Sequence, residues 1–318
     1  MLEYCRKVMI DLGDFLIYGM LTASTVMFGT QFFFNDIYRR NYGNSFRDSL
    51  VSRLGGGIFG LVVLVIIQMF QIGKVAFEYS NYAFIMALIA DINAFVLTFC
   101  GLKALGKINL SMYSLFMMLG GMVLPFVFGI FLHGEALTLG KLLCFIIITA
   151  SLLIVKGIGK STSGTIYYVG VFVLNGMSGV ISKLYHALPE RFENLTKISS
   201  AGYSILITLI SLVLSVILLF FVKSEKKKLN GKAVFAMAGG SILNKVANLL
   251  LLEALIVLPA SAQYPFITGG TIIVSAIISL FTDNKPTKRE LISVAVAFIG
   301  ILMLLIPEII IFKMNWKI

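Results

Sequence analysis

Two ionisable side chains stand where an apolar sequence ordinarily carries none. Asp91 lies inside YAFIMALIADINAFVLTFCGLKAL, and Lys245 lies inside AVFAMAGGSILNKVANLLLLEAL. A charge at the centre of a bilayer costs about 2.5–3.5 kcal/mol on insertion scales, so such a residue is rarely placed there without a task. Asp91 has the chemistry of a proton or cation site. Lys245 is suited to be its partner or an anchor for an anion. The plainer alternative is a neutralising ion pair that only holds two helices together. Around Lys245, Ser241 and Asn248 fall at helical spacing on one face, with Asn244 beside them. Around Asp91, Thr98 shares a face and Asn93 is adjacent. Amides and hydroxyls of this kind either hydrogen-bond a solute or bond across helices.

A second group offers aromatic faces and amides. Tyr113 and Phe116 sit in one apolar run, and Gln263, Tyr264 and Phe266 open another. Tyr and Gln can hydrogen-bond a solute, and aromatic faces can hold an organic cation; an interfacial aromatic belt is the alternative. Gln31 and Asn175 are further candidates for solute contact. Gly120, Gly121, Gly269 and Gly270, with Pro125 and Pro265, suit hinges or points of close helix approach. The pair Gly239-Gly240 reads the same way. Arg53, at the start of its apolar run, reads as an anchor at the head groups.

The elements that must position these residues follow from composition. Of 318 residues, 58% are hydrophobic and 13% charged, where a soluble domain carries about 25% charged. The predicted class is an all-α integral membrane protein. Ten apolar runs are long enough to span: 13–34, 52–72, 82–105, 110–132, 138–157, 164–184, 200–222, 233–257, 260–282 and 290–312. They are continuous rather than alternating, which excludes a β-barrel. The first is too long for a signal peptide and lacks an A-x-A-like site, so an uncleaved span is expected. The net charge of +11 gathers between the runs, as in Lys223–Lys228. It suits anionic lipid head groups rather than nucleic acid. Three scattered cysteines and two histidines, His133 and His186, provide no metal spacing, and no cofactor is expected.

The longer connections, Asn35–Val51 and Tyr185–Ser199, stand five runs apart, which points to an internal repeat. At one constant offset Tyr18, Met27 and Gly29 correspond to Tyr168, Met177 and Gly179. Ala104-Leu105 corresponds to Ala254-Leu255 and, after a one-residue deletion, Gly120-Gly121 to Gly269-Gly270. An odd number of spans per repeat inverts the second copy, so residues 1–160 and 161–318 are expected to form two inverted five-helix repeats. That is the architecture of secondary transporters, with the solute near the midplane.

Two segments carry a more specific likeness. SMYSLFMMLGGMVLPFVFGIFLHGEALTLGKLL, Ser111–Leu143, and LPASAQYPFITGGTIIVSAIISLFTDNKPTKREL, Leu258–Leu291, resemble signature stretches of the drug/metabolite transporter superfamily, in particular its ten-span EamA-like members. In the second segment Asp283-Asn284-Lys285 replaces the Gly-Glu turn of the first. The resemblance implies a cavity between helices one, three, four, six, eight and nine, and no particular solute.

The function expected is secondary transport of a small organic solute by alternating access, with a proton or other cation as a candidate for coupling. A translocase for a lipid-linked head group is the alternative on the same fold. An intramembrane enzyme would need a nucleophile–base pair or a metal cluster, and the runs offer neither. A monomer in the cytoplasmic membrane of a bacterium is expected, with membrane lipids as its surroundings. Lys and Arg crowd the loops after the odd-numbered runs, which places both termini outside. The resemblance implies both termini in the cytoplasm, and orientation stays open between the two.

Overall fold

The computed structural model describes residues 2–72, 77–133, 136–155, 162–222, 228–255, 260–283, 285–303 and 310–312. Among these residues the chain forms ten helices. They are α1 (Leu2–Asn41), α2 (Phe46–Ile72), α3 (Asn81–Leu105), α4 (Leu110–His133), α5 (Leu139–Val155), α6 (Thr162–Arg191), α7 (Ser200–Phe221), α8 (Gly231–Leu255), α9 (Ala260–Leu280) and α10 (Lys288–Leu302). Two short strands, β1 (Leu137–Thr138) and β2 (Ile310–Phe312), pair antiparallel. Six helices are long and apolar enough to cross a membrane: α1 from Leu16, α2, α3, α4, α7 and α8. By length and composition this is a multi-pass helical membrane protein. Its surface agrees. Ile58, Val62, Ile66 and Phe70 form an exposed apolar stripe along α2, with Phe70 89% exposed. Water would penalise such a face, and lipid does not.

Several boundaries differ from those read in the sequence. The expected loop Asn35–Val51 shrinks to a four-residue turn (Tyr42–Ser45), since α1 runs on to Asn41 and α2 starts at Phe46. Gly43 makes the turn at φ 136°, a conformation that glycine alone adopts freely. α6 likewise runs on to Arg191 with Pro189 inside it, so the expected loop from Tyr185 begins later. The run expected as helix to residue 312 ends at Leu302, and Ile310–Phe312 takes a strand against Leu137–Thr138 instead. Helix starts are fixed by side chains that satisfy otherwise unpaired N–H groups. Ser80 accepts from Ala83 N, Ser199 accepts from Gly202 N, and Thr287 with Glu290 forms a reciprocal box.

The helices pack in an ordered way. α1 lies against α8 and α9, α6 against α3 and α4, α2 against α7 and α8, and α3 also against α7. The remaining principal contacts are α4 with α9 and α5 with α10. Exchanging each helix with the one five places along returns these pairings to themselves. Contacts at the two ends of α3 give the relative directions of α1 and α6. The C-terminal end of α3 lies beside that of α1, where a Cβ on Gly106 would stand 2.9 Å from Asn44 Nδ2. The N-terminal end of α3 lies beside the C-terminal end of α6, where Tyr82 donates to Leu184 O and Tyr185 O at 3.0 Å. α1 and α6 therefore run in opposite directions.

Individual contacts match as well. A Cβ on Gly121 would lie 2.6 Å from Asn175 Nδ2, and one on Gly270 would lie 2.5 Å from Thr25 Cγ2. A Cβ on Gly179 would lie 2.4 Å from Pro125 Cγ, and one on Gly29 would lie 2.6 Å from Val274 Cγ1. Asn175 and Thr25, and Gly179 and Gly29, correspond under one offset, and Gly121 with Gly270 and Pro125 with Val274 correspond after the one-residue deletion.

Candidate functional site

A cavity of about 370 Å³ opens between α1, α2, α3, α4, α6, α7 and α8. Its wall is built on small residues. Gly56 and Gly60 let α8 approach α2, so that Ser241 donates to Gly56 O at 2.5 Å. A Cβ on Gly60 would stand 2.8 Å from Ser241 Oγ and 3.1 Å from Lys245 Cε. The missing side chain is the space that the lysine stem occupies.

Asp91 lies near the middle of α3, and its side chain is 1% exposed. Its partner is Arg53 of α2, whose Nη2 donates to Asp91 Oδ1 and, at 2.6 Å, to Ser211 Oγ of α7. Arg53 Nη1 reaches Thr98 Oγ1 at 3.4 Å. Two readings are corrected here. Lys245 is not the direct ion-pair partner of Asp91, because Arg53 holds that carboxylate; Lys245 Nζ donates to Thr208 Oγ1 of α7 at 3.2 Å. Nor is Arg53 a head-group anchor, because α2 begins two turns before it and carries it inward, leaving its side chain 11% exposed.

A start signal for α2 is present in the sequence. Ser45-Phe46-Arg47-Asp48 is a capping box, in which Ser45 N donates to Asp48 Oδ2 at 2.9 Å and Asp48 N to Ser45 Oγ at 3.1 Å. Starting the helix there moves Arg53 into the bundle.

The other candidates divide. Gln31, Tyr113, Asn175, Ser241 and Asn244 line the cavity together with Asp91, Thr98 and Lys245. Asn244 Nδ2 donates to Gln31 Oε1 at 3.0 Å, joining α8 to α1. Asn175 Nδ2 donates to Met117 O at 2.6 Å, and Tyr113 packs edge-on against Phe32. Asn93 and Asn248 do not reach the cavity. Asn93 bridges α3 to α6 through Leu174 O and Ser178 Oγ, while Asn248 is exposed and donates to Asn244 O. The expected common face of Lys245 and Asn248 fails because one helix turn from Lys245 already leaves the concave wall.

Phe116 packs against Tyr168, and Phe266 against Tyr18, both away from the cavity. The side chains of Gln263, Tyr264 and Pro265 lie outside the described residues. α9 contributes no described residue to the lining, whereas α2 and α7, absent from the expected set, contribute Arg53 and the hydroxyls of Thr208 and Ser211. Thr208 and Ser211 were not legible as site residues, since hydroxyls in an apolar helix more often bond their own backbone, as Thr208 does to Ser204 O.

The glycines proposed as hinges are points of close approach. A Cβ on Gly120 would fall 2.0 Å from Phe172 O, and one on Gly269 would fall 3.0 Å from the Phe298 ring.

Comparison with known proteins gives the fold and no family. No family model matches the chain. No curated protein is similar to it at a significant level. Among solved structures, 28 chains match. One, described only as "Crystal structure of protein", superposes with a TM-score of 0.56 at 13% identity, over 89% of this chain and 94% of that one. At that identity the likeness extends to the fold.

Proposed function

We propose that this chain is a secondary transporter of a small organic solute, working by alternating access in a cytoplasmic membrane. The observation that carries the reading is the cavity. It is walled by helices from both halves of the chain and holds, among the described residues, three charged side chains between apolar helices, where charge is costly unless used. Its volume lies at the small end of the range for solute sites.

The exchange of helix pairings under a shift of five, and the opposite run of α1 and α6, support two inverted five-helix repeats with ten spans. This is the arrangement that the resemblance to EamA-like drug/metabolite transporters implies. In this reading Asp91, released from Arg53 by protonation, is the coupling site. Rocking of the halves uses the close contacts at Gly120, Gly121 and Gly270, with Pro125 beside them.

The test is uptake into proteoliposomes of solutes selected by thermal stabilisation of the purified protein. Asp91→Asn is expected to insert and bind but to lose the response of uptake to an imposed pH gradient. Uptake by this variant at the wild-type rate and with the wild-type pH response would remove Asp91 from the mechanism.

A further inference from the structure

The charge inside the cavity is unbalanced. Among the described residues, Arg53, Lys245 and Asp91 are the charged residues of its lining, so two cations there face one carboxylate. Asp91 is engaged by Arg53. Lys245 has three N–H donors, and the hydrogen bond it makes among the described residues goes to Thr208. Arg53 also keeps Nε buried without an acceptor among the described residues.

The two cations are neighbours on one wall. Their hydroxyl partners, Thr208 and Ser211, are adjacent on one face of α7, and Lys245 packs over Gly60, two turns along α2 from Arg53. An apolar slab penalises this surplus positive charge, and a bound anion relieves it. An amine would add a third cation to the same wall and meet repulsion.

We propose that the solute is a small organic acid whose anionic group, a carboxylate or a phosphate, is held by Lys245 and the Arg53 side of the cavity. This names the cargo class of the transporter reading and rests on it only in calling the ligand a cargo. Of the amides in the lining, Gln31 and Asn244 already bond each other, which leaves Gln31 its two N–H donors and Asn244 one N–H and its carbonyl oxygen for the uncharged part of the solute.

The test uses shape-matched probes on the full chain in detergent. Phenylacetate, phenylacetamide and phenethylamine form one set, hexanoate, hexanamide and hexylamine a second, and phenyl phosphate stands for the phosphate arm. The acids, or phenyl phosphate, are expected to raise the melting temperature, and the amides and amines of the same shape are not. In Lys245→Gln the dissociation constant of the acid is expected to rise about tenfold to a hundredfold, the effect of removing one charged hydrogen-bond donor. Lys245→Arg, which keeps the charge, is expected to stay within a few fold of wild type. That variant guards against a Lys245→Gln protein that fails to fold.

Three results would overturn the inference: stabilisation by amines in preference to acids, no stabilisation by any acid or phosphate, or an acid preference that survives Lys245→Gln. Binding and movement are read separately. An acid that binds through Lys245 but is never carried into proteoliposomes counts against transport and leaves the anion site standing.

Discussion

Replacing Asp91 alone and Asp91 together with Arg53 separates what the buried pair does for stability from what it does for function. The Asp91 side chain is 1% exposed and that of Arg53 11%, so both charges are out of water. Asp91→Leu leaves the guanidinium buried with Ser211 and Thr98 as its remaining hydroxyl partners. Removing one member of a buried pair costs about 3–5 kcal/mol, because the other charge stays desolvated and unpaired. At roughly 2–4 °C per kcal/mol for a large domain, the melting temperature in detergent should fall by about 10 °C. In Asp91→Leu/Arg53→Met no charge of the pair remains, and most of the loss should be recovered, since apolar replacement of a buried pair is often neutral. The assay is the fraction of monodisperse protein surviving a temperature series. If the pair serves function, the recovered double variant should still not transport. A single variant as stable as wild type, or a double variant less stable than the single, would show that Asp91 does not offset the burial of Arg53.

Two further predictions concern packing and pH. Gly120→Ala should cost about 1–3 kcal/mol, since its Cβ meets the backbone carbonyl of Phe172 at 2.0 Å. Gly269→Ala should cost less, because the Phe298 ring at 3.0 Å is a side chain that can shift; thermal denaturation of both variants checks the order. Outside the bundle, Glu78 accepts from Ser199 Oγ at 2.6 Å and Ser199 N at 2.7 Å, and these bonds hold its carboxyl below the ordinary value of 4.5. Because the folded value is depressed, the stability it adds is present above pH 4.5 and is lost as pH falls through the folded value. Glu78→Gln should therefore flatten the stability profile on the acid side of that pH, which melting temperatures measured across acidic buffers would reveal.

The membrane class and the number of helices were legible in the sequence, because each run is a near-continuous apolar stretch ended by charge or by Gly, Asn and Pro. Boundaries were less so. α1 and α6 extend past their apolar windows because polar residues at their ends find partners in the fold. Asp36, for example, accepts from Arg39 at 2.8 Å and Arg40 at 2.7 Å, and Arg40 also donates to Asp283 at 2.5 Å. Hydropathy registers only the cost of such charges. The short strand at Ile310–Phe312 was hidden for the same reason, since its apolar residues fit a helix equally well until a partner at Leu137–Thr138 decides.

In the site, Asp91 and Lys245 stood out as charges in apolar runs, and the structure brings both into one cavity. The true partner of Asp91 did not, because the apolar window for α2 started late and left Arg53 at its edge. Asn93 and Asn248 show the converse limit. Helical spacing gives a face, but a helix in a bundle has several neighbours, and sequence does not say which one that face meets.

Alternating access, as proposed, requires the cavity to open to water on each side of the membrane in turn. Its most direct test is labelling of single cysteines, in a background without Cys5, Cys100 and Cys144, by a membrane-impermeant thiosulfonate. Ser241→Cys lies in the cavity wall, and Ile242→Cys, beside it on the exposed outer face of α8, serves as the control. Ser241→Cys is expected to be labelled from either side of sealed vesicles, and Ile242→Cys from neither. Labelling of Ser241→Cys from one side only, or equal labelling of both positions, would contradict alternating access.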